Sequence, residues 1–116
     1  MSIPKPREAA VVRGCLAYLR TVRGWLAWRN NTGARQIGDS FIRWGLVGSG
    51  DIFAIAPPNG LHQRGLFLSI ECKRPGGQLT VAQRVWADAV RRAGGLAVVA
   101  ASVQDLEAAL RAADLG

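Results

Sequence analysis

Leu66-Phe67-Leu68-Ser69-Ile70-Glu71-Cys72-Lys73 is the stretch that decides how this chain is built. It is rich in apolar, strand-forming side chains and is stopped by Pro75-Gly76-Gly77, so it reads as a strand. Successive side chains on a strand point to opposite faces. Ile70 and Cys72 therefore share a face suited to a core, while Ser69, Glu71 and Lys73 share the other. A carboxylate and an ammonium side by side near a strand end can be no more than a solvated edge. A second acid brought to the same place would give the pair a chemical use.

Working outward, Asp51-Ile52-Phe53-Ala54-Ile55-Ala56 reads as another strand. It is entered from the tight Gly48-Ser49-Gly50 turn and left at Pro57-Pro58-Asn59-Gly60. If the two strands pair as a hairpin, Asp51 at the start of one lies beside Glu71 and Lys73 at the end of the other. Two carboxylates held together repel unless a cation sits between them. A hard divalent ion such as Mg²⁺ takes oxygen ligands and keeps water and phosphate in its shell. Such an ion polarises a phosphoryl oxygen and acidifies a water, and Lys73 would orient that water or neutralise charge in the transition state. Asp51 alone has an ordinary explanation as a turn or cap residue. Together, Asp51, Glu71 and Lys73 make a complete hydrolytic site for a phosphodiester.

The rest of the chain supplies the frame. Val11, Val12, Cys15, Leu16 and Leu19 recur at helical spacing over 7–22, and Gly24 breaks that helix. Residues 25–29 read as an aromatic strand, followed by turn chemistry at Asn30-Asn31-Thr32-Gly33. Residues 34–50 show no regular pattern. A helix over 81–93, a short buried strand over 96–101 and a last helix over 102–113, capped by Ser102 with Asp105, complete the order α-β-β-β-α-β-α. The expected fold is α/β, a central mixed sheet flanked by helices. It forms one domain over residues 1–116, with 1–6 a flexible arm because of Pro4 and Pro6.

Composition narrows the partners. Fifteen Lys and Arg against eight Asp and Glu leave a net charge of +7, which favours a polyanion. Most of the cations are arginine, suited to bidentate phosphate contact. No apolar run reaches bilayer length and the N-terminus lacks a signal core, so no membrane partner is expected and the expected location is cytoplasmic. Cys15 and Cys72 are too few for a disulfide framework, and with His62 they cannot complete a zinc site. They read as core thiols, and His62 as a loop residue.

Gly48-Ser49-Gly50-Asp51 followed by Glu71-Cys72-Lys73 resembles the PD-(D/E)XK nuclease superfamily. Trp28 to Ala34, Gly77-Gln78-Leu79-Thr80-Val81-Ala82-Gln83 and Val90-Arg91-Arg92 extend the likeness, in order, to the VRR-NUC domain over about Arg7 to Leu110. The resemblance implies a restriction-endonuclease-like core and Mg²⁺- or Mn²⁺-dependent DNA cleavage leaving 5′-phosphate and 3′-hydroxyl ends. Stand-alone members of this size resemble virus and prophage proteins that act as homodimers on branched DNA such as Holliday junctions. A bacterial or phage-infected cell is the setting this implies. No small-molecule cofactor beyond the metal is implied. The departure is Gly50, where the superfamily name promises proline; VRR-NUC members commonly carry such a glycine.

By the same resemblance Asp51, Glu71 and the Cys72 backbone carbonyl hold the metal, Glu8 completes its shell and Lys73 assists the reaction. Glu8 also has a plain explanation as an acid in a helix's first turn. Gln83 is read two ways, as the partner of Thr80 in a capping box and, by resemblance, as a catalytic-site glutamine. Lys5, Arg7, Arg13, Arg29, Arg35, Arg74, Arg91 and Arg92 are candidate nucleic-acid contacts. Trp25, Trp28, Trp44 and Trp86 can stack on bases, although core or dimer-surface positions suit them better. The rival expectations are a non-catalytic nucleic-acid-binding module of nuclease fold, and a nuclease acting on RNA or single strands.

Overall fold

A computed structural model describes residues 4–116, with side chains from Arg7 onward. Helix α1 spans Pro4–Ala17 and continues as a wide π-turn over Tyr18–Val22. It is followed by β1 (Leu26–Arg29), β2 (Gly33–Ile37), β3 (Ser40–Trp44), β4 (Ile52–Ala56) and β5 (Leu66–Cys72). Helix α2 (Val81–Arg92), β6 (Leu96–Ala100) and α3 (Val103–Ala112) complete the chain. The main sheet has the order β1-β4-β5-β6, antiparallel except for the parallel β5/β6 pair, with α2 as the crossover between those two strands. The fold is therefore mixed α/β, as the hydrophobic pattern indicates.

Two features differ from the sequence reading. Helix α1 begins at Pro4, so residues 4–6, expected as part of a flexible arm, are helical, while 1–3 lie outside the described residues; proline is tolerated in a helix's first turn, where its missing N–H has no partner to lose. The stretch 34–50 is not irregular. It contains a second, two-stranded sheet, β2 against β3, with Gly33 opposite Trp44 and Ile37 opposite Ser40. Gly38 (φ +59°) and Asp39 form its two-residue loop, the turn chemistry that suits the twist of a hairpin.

The strand alternation positions everything else. Ile52, Ala54 and Ala56 of β4 and Leu68, Ile70 and Cys72 of β5 face α1 and α3. There they meet Val12, Cys15 and Leu19 from α1 and Leu106 and Leu110 from α3. Each fully buried Leu or Ile contributes about 1.5–3 kcal/mol relative to exposure. Cys15 and Cys72 are buried free thiols, and hydrogen bonding with Cys15, together with burial, pushes the Cys72 thiol up. The opposite face carries Trp28, Phe53, Phe67, Ser69 and Glu71. Phe53 stands between Trp28 at 6.2 Å and Phe67 at 5.1 Å, and stacks on Trp86 of α2 at 5.8 Å between ring centroids. No helix among the described residues is long and apolar enough to cross a membrane.

Candidate active site

The end of the sheet where β4 begins and β5 finishes gathers Asp51, Glu71, Lys73 and Gln83. Asp51 is fixed from three sides. Its N–H donates to the Ile70 carbonyl at 2.8 Å, and its own carbonyl accepts from the Asn30 N–H at 2.9 Å. Its Oδ2 accepts from the Cys72 N–H at 2.7 Å. The hairpin pairing expected for β4 and β5 is present, with Ile52 opposite Ile70, and the Asp51 carboxylate extends that ladder by one rung.

The Gly48-Ser49-Gly50 turn is shaped by close approach. A Cβ on Gly50 would lie 2.3 Å from Ser69 Oγ, and one on Gly48 (φ +83°) would lie 2.5 Å from the backbone of Ala82 at the start of α2. This gives a local reason for Gly50 where a proline is expected. Asn30 clamps the turn through Nδ2, which donates to Ser49 Oγ at 2.8 Å and to the Gly50 carbonyl at 2.9 Å.

Glu71 lies on the α2 face of β5. Its Oε2 accepts from Gln83 Nε2 at 3.1 Å and sits 4.0 Å from Lys73 Nζ. Both charged side chains are only 13% exposed. Burial, then the charge and hydrogen bonding of Asp51, push the Glu71 carboxyl up to about 8; Glu8 adds to this, and Lys73 opposes it without cancelling it. Gln83 meets both of its readings at once. Its Oε1 accepts from the Thr80 N–H at 2.8 Å and its N–H donates to Thr80 Oγ1 at 3.1 Å, completing the capping box, while its amide nitrogen reaches Glu71.

Glu8 stands in the second turn of α1, because that helix begins at Pro4, so the first-turn explanation for it falls. With Ala9, Val12, Arg29, Asp51 and Cys72 it lines a cavity of about 290 Å³. A residue's N–H and C=O point to the same edge of its strand. The Cys72 carbonyl therefore faces the Asp51 side, past the first paired residue of β4. Among the described residues no three His, Cys, Asp or Glu side chains are close enough to hold a cation by themselves. The donors present, two carboxylates and a main-chain carbonyl with Glu8 across the cavity, are all oxygens of the kind a hard divalent ion takes. The burial and the neighbouring Asp51 charge that push the Glu71 carboxyl up are what a cation between the two acids would offset. The residues fit the ion the sequence suggests.

The remaining candidates scatter. Arg29 lines the cavity, and Arg74 follows Lys73 in the turn after β5. Arg7 and Arg13 are exposed on α1, and Arg35 is exposed on β2. Arg91 and Arg92 lie at the far end of α2 from Gln83, and Arg91 is engaged by Asp88 at 3.5 Å and the Ala97 carbonyl at 3.2 Å. The side chain of Lys5 lies outside those described. Trp86 is tied to the sheet through Nε1, which donates to Ser69 Oγ at 2.8 Å. His62 contacts the Ala113 carbonyl at 3.1 Å, away from the acids. Two contributors escaped the sequence reading: the Asn30 clamp, and the β2–β3 hairpin with Phe41 and Arg43. Gly38-Asp39 between two strand-like runs was the signal for the hairpin.

Comparison of the chain with family models, with curated proteins and with solved structures finds no match.

Proposed function

We propose that this chain is a Mg²⁺- or Mn²⁺-dependent endodeoxyribonuclease of VRR-NUC type with a restriction-endonuclease-like core, cutting branched DNA such as Holliday junctions as a homodimer. The observation that carries the reading is the meeting of Asp51 and Glu71 at one strand end, beside Lys73 and Gln83. Asp51, Glu71 and the Cys72 carbonyl would hold the ion, with Glu8 facing it across the cavity. When bound, the ion supplies Lewis-acid polarisation of a phosphoryl oxygen and a more acidic water. Lys73, with its Nζ 4.0 Å from Glu71 Oε2, positions its ammonium to hold the attacking water or to neutralise charge growing on the phosphate. Gln83 keeps Glu71 in place, and Arg29 on the cavity wall offers a phosphate contact. Exposed Leu26, Trp28 and Ile55 on the β1–β4 side of the sheet support a protein contact there, for which a second copy is the simplest occupant.

The test is a cleavage assay of the purified chain on junction, flap, duplex and single-stranded DNA, and on RNA, with Mg²⁺, Mn²⁺ or EDTA. Metal-dependent cutting of branched DNA is expected. Cutting that survives EDTA would sink the mechanism, and tight binding with no cutting under any metal would replace it with a binding module. Light scattering checks the dimer.

A further inference from the structure

The chain leaves β1 at Arg29, paired with Ile52, and re-enters the sheet at Asp51. Everything between them is an excursion from the end of the sheet that carries the acids. Its base is fastened there, because Asn30 bonds both the Asp51 carbonyl and the Ser49-Gly50 turn. Beyond that base, β2 and β3 pair only with each other. Strands of this length reach roughly 17 Å at about 3.4 Å per residue. The hairpin is thus an arm standing at the mouth of the Asp51–Glu71 site.

Its surface is unusual for an arm in water. Ile37 is 55% exposed, Phe41 56%, Trp44 45% and Ile42 43%. An isolated two-stranded hairpin is marginal in water, and its edges offer unpaired backbone, so this one is built to be covered. Residues alternate across it, which puts Arg35 with Ile37, Ile42 and Trp44 on one face, and Arg43 with Gln36 and Phe41 on the other. The Arg43 guanidinium lies 5.2 Å from the centre of the Phe41 ring. Each face therefore presents a guanidinium among apolar or aromatic groups. Asp39, at the loop, is the arm's acid.

We infer that the β2–β3 hairpin is a nucleic-acid arm: it enters a groove beside the scissile phosphate, Arg35 and Arg43 take backbone phosphates, and Ile37 and Phe41, on opposite faces near the tip, press against the bases on either side of it. The inference rests on the nuclease reading of the neighbouring site. A major groove admits a two-stranded ribbon, and apolar side chains pressed into a base step kink duplexes. Arginine on both faces matches a polyanion that surrounds the arm, whereas two copies of the same arm would bring guanidinium against guanidinium.

The experiment uses the full chain with R35Q/R43Q and, separately, I37S/F41S; all four side chains are exposed, and melting curves confirm that each variant folds. Affinity for a short labelled duplex and for a four-way junction is read by fluorescence anisotropy in EDTA over a range of salt, and cutting is read with Mg²⁺. R35Q/R43Q is expected to weaken binding about tenfold and to flatten the dependence of log affinity on log salt by about 2, since each lost phosphate contact removes roughly 0.9. The KM for cutting rises with the loss of affinity. I37S/F41S is expected to weaken the junction more than the duplex. Affinity and salt slope unchanged in R35Q/R43Q overturn the arm even if the chain cuts DNA. A variant that halves the particle mass in light scattering with DNA affinity unchanged assigns the hairpin to a second copy and overturns it too. Arm-dependent binding without any cutting keeps the arm and removes the nuclease reading.

Discussion

Gln83 Nε2 donates to Glu71 Oε2 at 3.1 Å while Gln83 Oε1 accepts from the first amide of α2's cap. One side chain therefore ties the start of the helix to a buried acid of the site. Gln83→Ala loses both functions, and a cap of this kind is worth about 1 kcal/mol. Gln83→Glu keeps an acceptor for the Thr80 amide but sets a second carboxylate against Glu71. Melting of Q83E should stay near that of the unaltered chain while cutting falls about 10–100-fold, the usual scale for losing a group that orients a metal ligand. Equal losses of stability and activity in Q83A and Q83E would reduce Gln83 to a cap.

Lys73 and Asp51 test the chemistry itself. Asp51→Asn leaves an oxygen to accept from the Cys72 amide, so folding should survive, whereas the charge that a cation needs is gone. Lys73→Ala removes the ammonium 4.0 Å from Glu71 without opening the core. Each should lower kcat about 10²–10³-fold in a Mg²⁺ cleavage assay, the scale of losing one group that stabilises transition-state charge. Cutting that persists in both, with the fold intact by circular dichroism, would place the reaction elsewhere.

The pH dependence follows from Glu71. Its carboxyl has an ordinary value of 4.5 and stands near 8 in the folded chain. The folded state thus binds the proton more tightly than the unfolded state, and stability contributed by Glu71 is lost as pH rises from about 4.5 to about 8. Without metal, the melting temperature should fall across that window, and Glu71→Gln should flatten the fall. Mg²⁺ at pH 7–8 should raise the melting temperature of the unaltered chain and not that of E71Q. A pH profile identical in the two proteins would remove the buried proton from this account.

Strand alternation and turn chemistry made much of this legible. Glu71 near the end of β5 with Lys73 just past it and beside it, and Asp51 brought to them by the β4–β5 pairing, followed from residue types and spacing alone. The position of Gly48 against Ala82 did not, because it depends on α2 folding back over the sheet, a long-range contact with no local trace. The hairpin failed for a different reason. Arg35 and Gln36 on one strand face no buried layer, so the period-two pattern that marks a half-buried strand is blurred, and only Gly38-Asp39 announces the turn. Glu8 was displaced by a single turn, because two prolines at the helix start suggested an arm and not a first turn.

Gly50 offers the sharpest structural test. A Cβ there would stand 2.3 Å from Ser69 Oγ and 3.0 Å from the Ile70 carbonyl, the same carbonyl that receives the Asp51 N–H. Ser69 cannot move aside freely, because its hydroxyl also accepts from the Trp86 indole. Gly50→Ala must therefore push the turn outward and carry Asp51 away from Glu71. Overpacking of this kind costs about 1–3 kcal/mol, measurable by urea denaturation, and the loss of cutting should exceed what that destabilisation explains. Gly60, where a Cβ meets nothing within 4 Å, is the control, and Gly60→Ala should be close to neutral in both measurements. A second variant separates the causes: Gly50→Ala combined with Ser69→Ala removes the hydroxyl in the way, so stability and activity should partly return. If the pair behaves no better than Gly50→Ala alone, the Ser69 contact is not what holds Asp51 in register with Glu71.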